Sequence, residues 1–205
     1  MNLPNKLTLS RIIMTVFFVM ALLLPRFPYG NTVAFWLFVV ASITDWWDGW
    51  LARRNKITTD FGVMLDPLAD KILTCAAFIC LVEIDAPGLL PGQHNLVQAW
   101  MAVVIIGREF VINGLRLMAT QKGVTLPADL LGKQKTIFQM VSINFILFGL
   151  MLIEDFPRLL GDYMQLFEQW FPSVTFWLML LTVALTVISG MSYLIRGHRL
   201  YSQDT

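Results

Sequence analysis

Apolar residues run along this chain in six long blocks, separated by short breaks rich in polar, proline or glycine residues. A helix needs about 20 mostly apolar residues to cross the hydrocarbon core of a bilayer. Blocks at about residues 7–28, 32–54, 60–83, 96–120, 133–153 and 173–196 meet that requirement. The breaks, Pro25 to Asn31, Asn55 to Thr59, Ala86 to Asn95, Gly123 to Gly132 and Asp155 to Pro172, carry turn chemistry. The pattern predicts an all-α integral membrane protein of six transmembrane helices, folded as a single domain over residues 1–205 with no internal repeat.

Composition sharpens this picture. Of 205 residues, 57% are hydrophobic and 14% charged, against about 25% charged in an ordinary soluble domain. A net charge of +1 argues against nucleic acid as a partner, and leaves the distribution of charge as the informative quantity. One side of the predicted topology collects Lys6, Arg11, Arg53, Arg54, Lys56, Arg116, Lys122, Lys133, Lys135, Arg196 and Arg199. The other carries only Arg26 and Arg158 beside Glu83, Asp85, Glu154, Asp155, Asp162 and Glu168. Basic flanks stay cytoplasmic, so a multi-pass protein of the cell (plasma) membrane with both termini cytoplasmic is expected. Trp36, Trp100, Trp170 and Trp177 near block ends fit an interfacial aromatic belt. The first block ends in Leu24-Pro25-Arg26-Phe27-Pro28 without a small-residue cleavage site, and is expected to stay as an anchor. Cys75 and Cys80 share one apolar run and read as helix filler. His94 and His198 read as solvated flank residues.

Four carboxylates interrupt the second and third blocks: Asp45, Asp48, Asp66 and Asp70. Each costs about 2.5–3.5 kcal/mol at a helix centre, so their presence needs a reason. At 3.6 residues per turn, Asp45, Asp48, Gly49 and Ala52 share one helix face, and Gly62, Asp66 and Asp70 share another. A short loop centred near residue 57 makes the two helices antiparallel. Asp48 and Asp66 then stand about 9 residues from the pivot, and Asp45 and Asp70 about 12 or 13, which pairs them by depth at roughly 1.5 Å per residue. Like charges brought together in a dry site are relieved by protonation or by bound cations. An oxygen-only donor set selects a hard ion, magnesium or manganese rather than zinc. Gly49, Ala52 and Gly62 leave room for a bulky ligand near the backbone, and Arg53 can grip a phosphate. Two alternatives stand beside this one: aspartates held by Lys71, Arg108 or Arg116 for helix packing alone, and a cation pathway. Against a pathway, the helices continue past the aspartates through Ile72, Leu73, Ala76, Phe78, Val39, Val40 and Ala41, with no polar route onward.

The run from Asp45 to Asp70 reads D-x-x-D-G-x-x-A-R, eight residues, G, three residues, D, three residues, D. It resembles the signature of the CDP-alcohol phosphotransferases at every fixed position. Pro4-Asn5, Leu7-Thr8 and Arg11 look like that family's N-terminal element. The resemblance implies a polar active-site cavity facing the cytoplasm. In it Asp45, Asp48, Asp66 and Asp70 would be metal ligands for two ions, with Asp70 also the general base. Gly49, Arg53, Gly62, Asn5 and Thr8 would contact the cytidine diphosphate, and a homodimer is implied.

The acceptor is read from charges outside that motif. Arg108, Arg116, Lys133 and Lys135 lie on or beside the fourth and fifth blocks, and an arginine deep in a span wants an anion. Glu109 points about 100° away on a helix and is expected to be a poor partner for Arg108. The stretches Gly107-Arg108-Glu109-Phe110, Leu115-Arg116 and Gly132-Lys133-Gln134-Lys135-Thr136 are similar to the bacterial branch of the family that uses glycerol 3-phosphate. The implied reaction passes the phosphatidyl group of CDP-diacylglycerol to the 1-hydroxyl of glycerol 3-phosphate and releases CMP. Inositol phosphate is the alternative acceptor, and a cation channel or a nonenzymatic scaffold are alternatives of another class.

Overall fold

In the computed structural model, the backbone is described over residues 3–24, 27–55, 60–84, 95–121 and 130–201, and side chains over 9–24, 27–44, 71–84, 95–120 and 132–195. The elements are helices: α1 (Leu3–Leu23), α2 (Gly30–Asn55), α3 (Asp60–Glu83), α4 (Ala99–Gln121), α5 (Leu130–Leu150), a π-helical turn (Met151–Asp155), α6 (Pro157–Leu160), a 3-10 turn (Gly161–Tyr163) and α7 (Met164–Tyr201). Each of the six predicted blocks has a helix. The last break does not hold: instead of a loop to Pro172, the chain turns through α6 and begins α7 at Met164, running through Pro172. Proline removes one intrahelical donor, and what holds the segment is aromatic packing. Phe167 stacks on Phe171 one turn later at 5.4 Å between centroids, and Phe171 also meets Phe145 at 5.6 Å.

The chain divides into two compact units. The first comprises residues 1–84 and 143–171. Within it α1 packs on both α2 and α3, around Phe18, Ala21, Ala34, Phe38, Ala41, Leu73, Ala77 and Phe78. The rings of Phe18 and Phe38 lie 6.0 Å apart. At the start of α2 the backbone passes so close to α1 that a methyl group on Gly30 would run into the Ala21 carbonyl. The first turn of α2 is capped from a distance. Asp155 accepts from the Thr32 amide at 2.7 Å and from its hydroxyl at 2.5 Å, and Asn31 Nδ2 donates to Glu154 at 2.8 Å. Orphan amides at a helix start attract a carboxylate because they carry the positive end of the helix dipole.

The second unit comprises residues 85–142 and 172–205. Here the inward face of α4 runs through Met101, Ile105, Glu109, Ile112 and Ala119, while Val103, Phe110 and Leu117 are 68%, 59% and 63% exposed on the outside. On α7 the inward positions are Thr175, Met179, Thr182, Thr186, Ser189 and Tyr193, and the outward ones include Trp177, Leu181, Ile188 and Ile195. Ser142 on α5 and Thr182 on α7 exchange a 2.8 Å hydrogen bond. Polar groups turned inward and large apolar side chains turned outward make sense where the surrounding solvent is lipid. Among the described residues, Gly132–Asp155 and Pro157–Ile195 are long and apolar enough to cross a membrane, with Leu9–Leu23 and Gly30–Thr44 as shorter apolar helices. Trp36, Trp100, Trp170 and Trp177 are all exposed, as an interfacial belt requires.

Candidate functional site

Positions 45, 48, 49, 52 and 53 are helical, in the C-terminal half of α2, and positions 62, 66 and 70 are helical in α3. The helical register that gathers 45, 48 and 49 on one face, and 62, 66 and 70 on another, is therefore present in the backbone. Positions 5 and 8 lie on α1, which packs against both of those helices. The side chains of Asn5, Thr8, Asp45, Asp48, Arg53, Asp66 and Asp70 lie outside the described residues, as do the surroundings of Gly49 and Gly62. The depth pairing of the four aspartates falls there too.

The second unit holds a buried polar cluster whose side chains are described in full. Arg108 is half-buried, one residue before the buried Glu109 on α4. Lys135, near the start of α5, is buried and forms an ion pair with the Glu109 carboxylate. Arg108 Nη1 lies 3.5 Å from the same carboxylate oxygen, Oε1. At that length the contact is Coulombic rather than a directed hydrogen bond, so Glu109 is a loose neighbour of Arg108 and a close partner of Lys135. The expectation of a poor Arg108–Glu109 pairing is corrected only this far: the two long side chains reach round the helix and touch.

From α7, two side chains meet the arginines of α4. Arg108 Nη2 donates to Ser189 Oγ at 3.0 Å. Arg116 Nε donates to Tyr193 Oη at 3.3 Å, and the guanidinium carbon lies 5.7 Å from the Tyr193 ring centroid. Arg108 Nε is buried and finds no hydrogen-bond acceptor among the described residues. Lys133, two residues before Lys135, is exposed. The four basic residues singled out by sequence therefore differ: Arg108 and Lys135 turn inward, Arg116 leans on a buried tyrosine, and Lys133 faces out.

The Glu109 carboxylate faces two cations here, Arg108 and Lys135, in a poorly solvated place, and Arg116, itself exposed, stands two turns further along α4. Arg108 Nε, buried and without an acceptor among the described residues, can donate to an anion. A phosphate monoester offers oxygens in the geometry that guanidinium forks match. Sequence reading found the cations and missed Ser189, Gly190 and Tyr193. The available signal was the recurrence of Thr175, Thr182, Thr186, Ser189 and Tyr193 at helical steps inside an otherwise apolar block.

The chain is similar to known proteins along its length. The family model for CDP-alcohol phosphatidyltransferases matches residues 1–188. A Bacillus subtilis protein named CDP-diacylglycerol–glycerol-3-phosphate 3-phosphatidyltransferase is 36% identical over 203 residues, covering 94% of this chain and 93% of the relative. Proteins of the same name from Salmonella typhimurium and Haemophilus influenzae are each 37% identical, over 148 and 150 residues. These matches cover 71% of this chain, and 76% and 75% of the respective relatives.

Proposed function

This chain belongs to the CDP-alcohol phosphatidyltransferase family, and from that premise we propose that it transfers the phosphatidyl group of CDP-diacylglycerol to sn-glycerol 3-phosphate, giving phosphatidylglycerophosphate and CMP. Family and named relatives supply the reaction class. The observation that carries the choice of acceptor is the inward cluster of Arg108, Lys135 and Glu109, in which the buried Arg108 Nε has no acceptor among the described residues. It favours an acceptor bearing a phosphate over serine or choline, which bring none.

In this reading the enzyme is a membrane protein of six spans with cytoplasmic termini, acting as one domain and as a homodimer. Arg108, Arg116, Lys133 and Lys135 serve the phosphate of glycerol 3-phosphate, with Glu109 holding Lys135 in place. Asn5, Thr8, Gly49, Arg53 and Gly62 take the cytidine diphosphate. Enzymes of this family work with divalent metal ions. The all-oxygen donor set of Asp45, Asp48, Asp66 and Asp70 fits magnesium or manganese, two ions being our reading. Bound there, such ions would supply neutralisation of the diphosphate and of the departing CMP.

The rest falls to the protein. Asp70 accepts the proton of the acceptor's 1-hydroxyl. The freed oxygen bonds to the lipid-bearing phosphorus, and the bond from that phosphorus to CMP breaks with the electron pair leaving on CMP. Holding the acceptor by its phosphate converts an encounter into a positioned attack, the part of catalysis that protein side chains supply best.

The test is an acceptor panel with the purified protein in detergent, following CMP release from CDP-diacylglycerol. Glycerol 3-phosphate with magnesium or manganese should support release. Inositol phosphate, serine and choline should not, and chelation should stop the reaction. Preference for inositol phosphate would move the chain to another branch of the family, and cation flux in liposomes without CMP release would remove it from enzymology altogether.

A further inference from the structure

We infer that the α7 face formed by Thr186, Ser189, Gly190 and Tyr193 is the positioning surface of the acceptor-phosphate subsite, where Ser189 and Tyr193 hold the guanidiniums of Arg108 and Arg116 in the orientation that takes a phosphate monoester. This rests on the reading above that the two arginines bind the acceptor's phosphate.

The geometry is specific at the level of single protons. Ser189 Oγ donates to the Thr186 carbonyl at 3.1 Å and receives Arg108 Nη2 at 3.0 Å. Because its one proton is committed to the helix backbone, the hydroxyl presents lone pairs to the arginine. One turn along α7, Tyr193 does the same for Arg116, its Oη accepting from Nε at 3.3 Å while the ring itself is buried. Arg108 and Arg116 are eight residues apart on α4, about 12 Å of rise. Ser189 and Tyr193 are four apart on α7, about 6 Å. Two hydroxyls on one face of α7 thus meet the two arginines of α4.

Gly190 completes the surface. A methyl group there would stand 3.1 Å from Arg108 Cγ and 3.7 Å from Arg108 Nε, so only glycine lets the arginine stem lie against α7 unmoved. The hydroxyls take one nitrogen of each arginine. Arg108 Nε, which has no acceptor among the described residues, remains as a donor for an anion. An arginine side chain has large rotamer freedom, and fixing it before the ligand arrives removes that cost from binding. Ser189 and Tyr193 touch neither reacting group in this assignment. They are positioning residues, and their effect belongs in the affinity for the acceptor.

Three variants approach the two guanidiniums from different atoms: Ser189→Ala removes one acceptor, Tyr193→Phe removes the other while keeping the ring, and Gly190→Ala displaces the Arg108 stem. With the full-length enzyme in detergent, Ser189→Ala and Tyr193→Phe should each raise KM for glycerol 3-phosphate about tenfold, the weight of one hydrogen bond to a charged group, and Gly190→Ala, which shifts the stem but removes no hydrogen bond, should raise it less. The inhibition constant of inorganic phosphate should rise in parallel, with kcat and KM for CDP-diacylglycerol within about twofold of wild type. Ser189→Thr, which keeps the hydroxyl, should restore the wild-type KM. A melting curve checks the fold of each variant, and one that fails to fold leaves the other two to decide. If folded variants keep the wild-type KM and phosphate inhibition, or lose kcat and both KM values together, the positioning role is overturned while the glycerol 3-phosphate reaction stands. If wild-type enzyme releases no CMP with glycerol 3-phosphate, the underlying reading fails and this assignment fails with it.

Discussion

Lys135 on α5 and Glu109 on α4 form an ion pair with only 3% and 8% of their side chains exposed. The pair is a charged tie between two helices of one compact unit, and it fixes the carboxylate that Arg108 approaches at 3.5 Å. A lysine committed in this way differs from a lysine that merely marks the cytoplasmic side of a membrane, and the difference can be measured.

Replacing Lys135 by methionine should leave the Glu109 carboxylate buried without its ammonium. Breaking one partner of a buried pair costs about 3–5 kcal/mol, and Arg108, already within reach, recovers part of that. Denaturant titration in detergent should therefore show Lys135→Met weakened toward the lower end of this range and Lys135→Arg much less. Lys133→Ala, two residues earlier and exposed, should stay within about 0.5 kcal/mol of wild type. Similar losses for Lys133→Ala and Lys135→Met would mean that the ion pair carries no special weight.

Asp70→Asn removes a proton acceptor and a ligand charge while leaving the side-chain volume almost unchanged. A general base is worth about 10² to 10⁴ in rate, and loss of a metal ligand adds to that. CMP release should fall below detection, with the protein still folded by melting curve. Turnover at the wild-type rate would take Asp70 out of the mechanism.

Asp155 caps the first turn of α2 through two bonds to Thr32 at 2.7 and 2.5 Å. Hydrogen bonds to a charged group contribute about 1.5–3 kcal/mol, so Asp155→Ala should lower stability by about 2 kcal/mol. Asp155→Asn, which retains an acceptor oxygen, should lose less. Activity per folded molecule should be unchanged, since none of the assigned substrate-binding residues is involved. Faster amide exchange at Thr32 in Asp155→Ala would locate the loss at the start of α2; unaltered exchange there would argue against the cap.

Glycines in this chain divide by what surrounds them. A methyl group on Gly149 would enter the ring of Phe171, whereas nothing lies within 4 Å of the corresponding position at Gly107. Gly149→Ala should therefore cost about 1–3 kcal/mol through overpacking. Gly107→Ala, in the interior of α4, should gain up to about 1 kcal/mol through helix propensity. Thermal melts of the two variants shifting the same way would contradict this division.

Much of the molecule is legible in its sequence. Apolar blocks long enough to span a bilayer, and carboxylates at steps of three and four, are local properties of a chain, because helical rise and period are the same everywhere. That is why α2 and α3 carry the motif positions in the expected register. One boundary was misjudged, at Pro172, where a proline usually stops a helix. Here Phe167 and Phe171 pack with Phe145 and sustain it, a cause that lies 22 or more residues away in sequence.

The sequence by itself determined the helical character of the chain, the apolar surface suited to lipid, the aspartate signature and the presence of basic residues where no soluble domain would bury them. Only the tertiary structure decided which of those basic residues turns inward and what meets it. Lys135 and Lys133 look alike in sequence, yet one pairs with Glu109 and the other is exposed. Ser189 reaches Arg108 across 81 residues and Tyr193 reaches Arg116 across 77. The reason is physical: periodicity assigns a side chain to a face of its own helix, but which partner it finds depends on how two helices pack, and no local pattern encodes that.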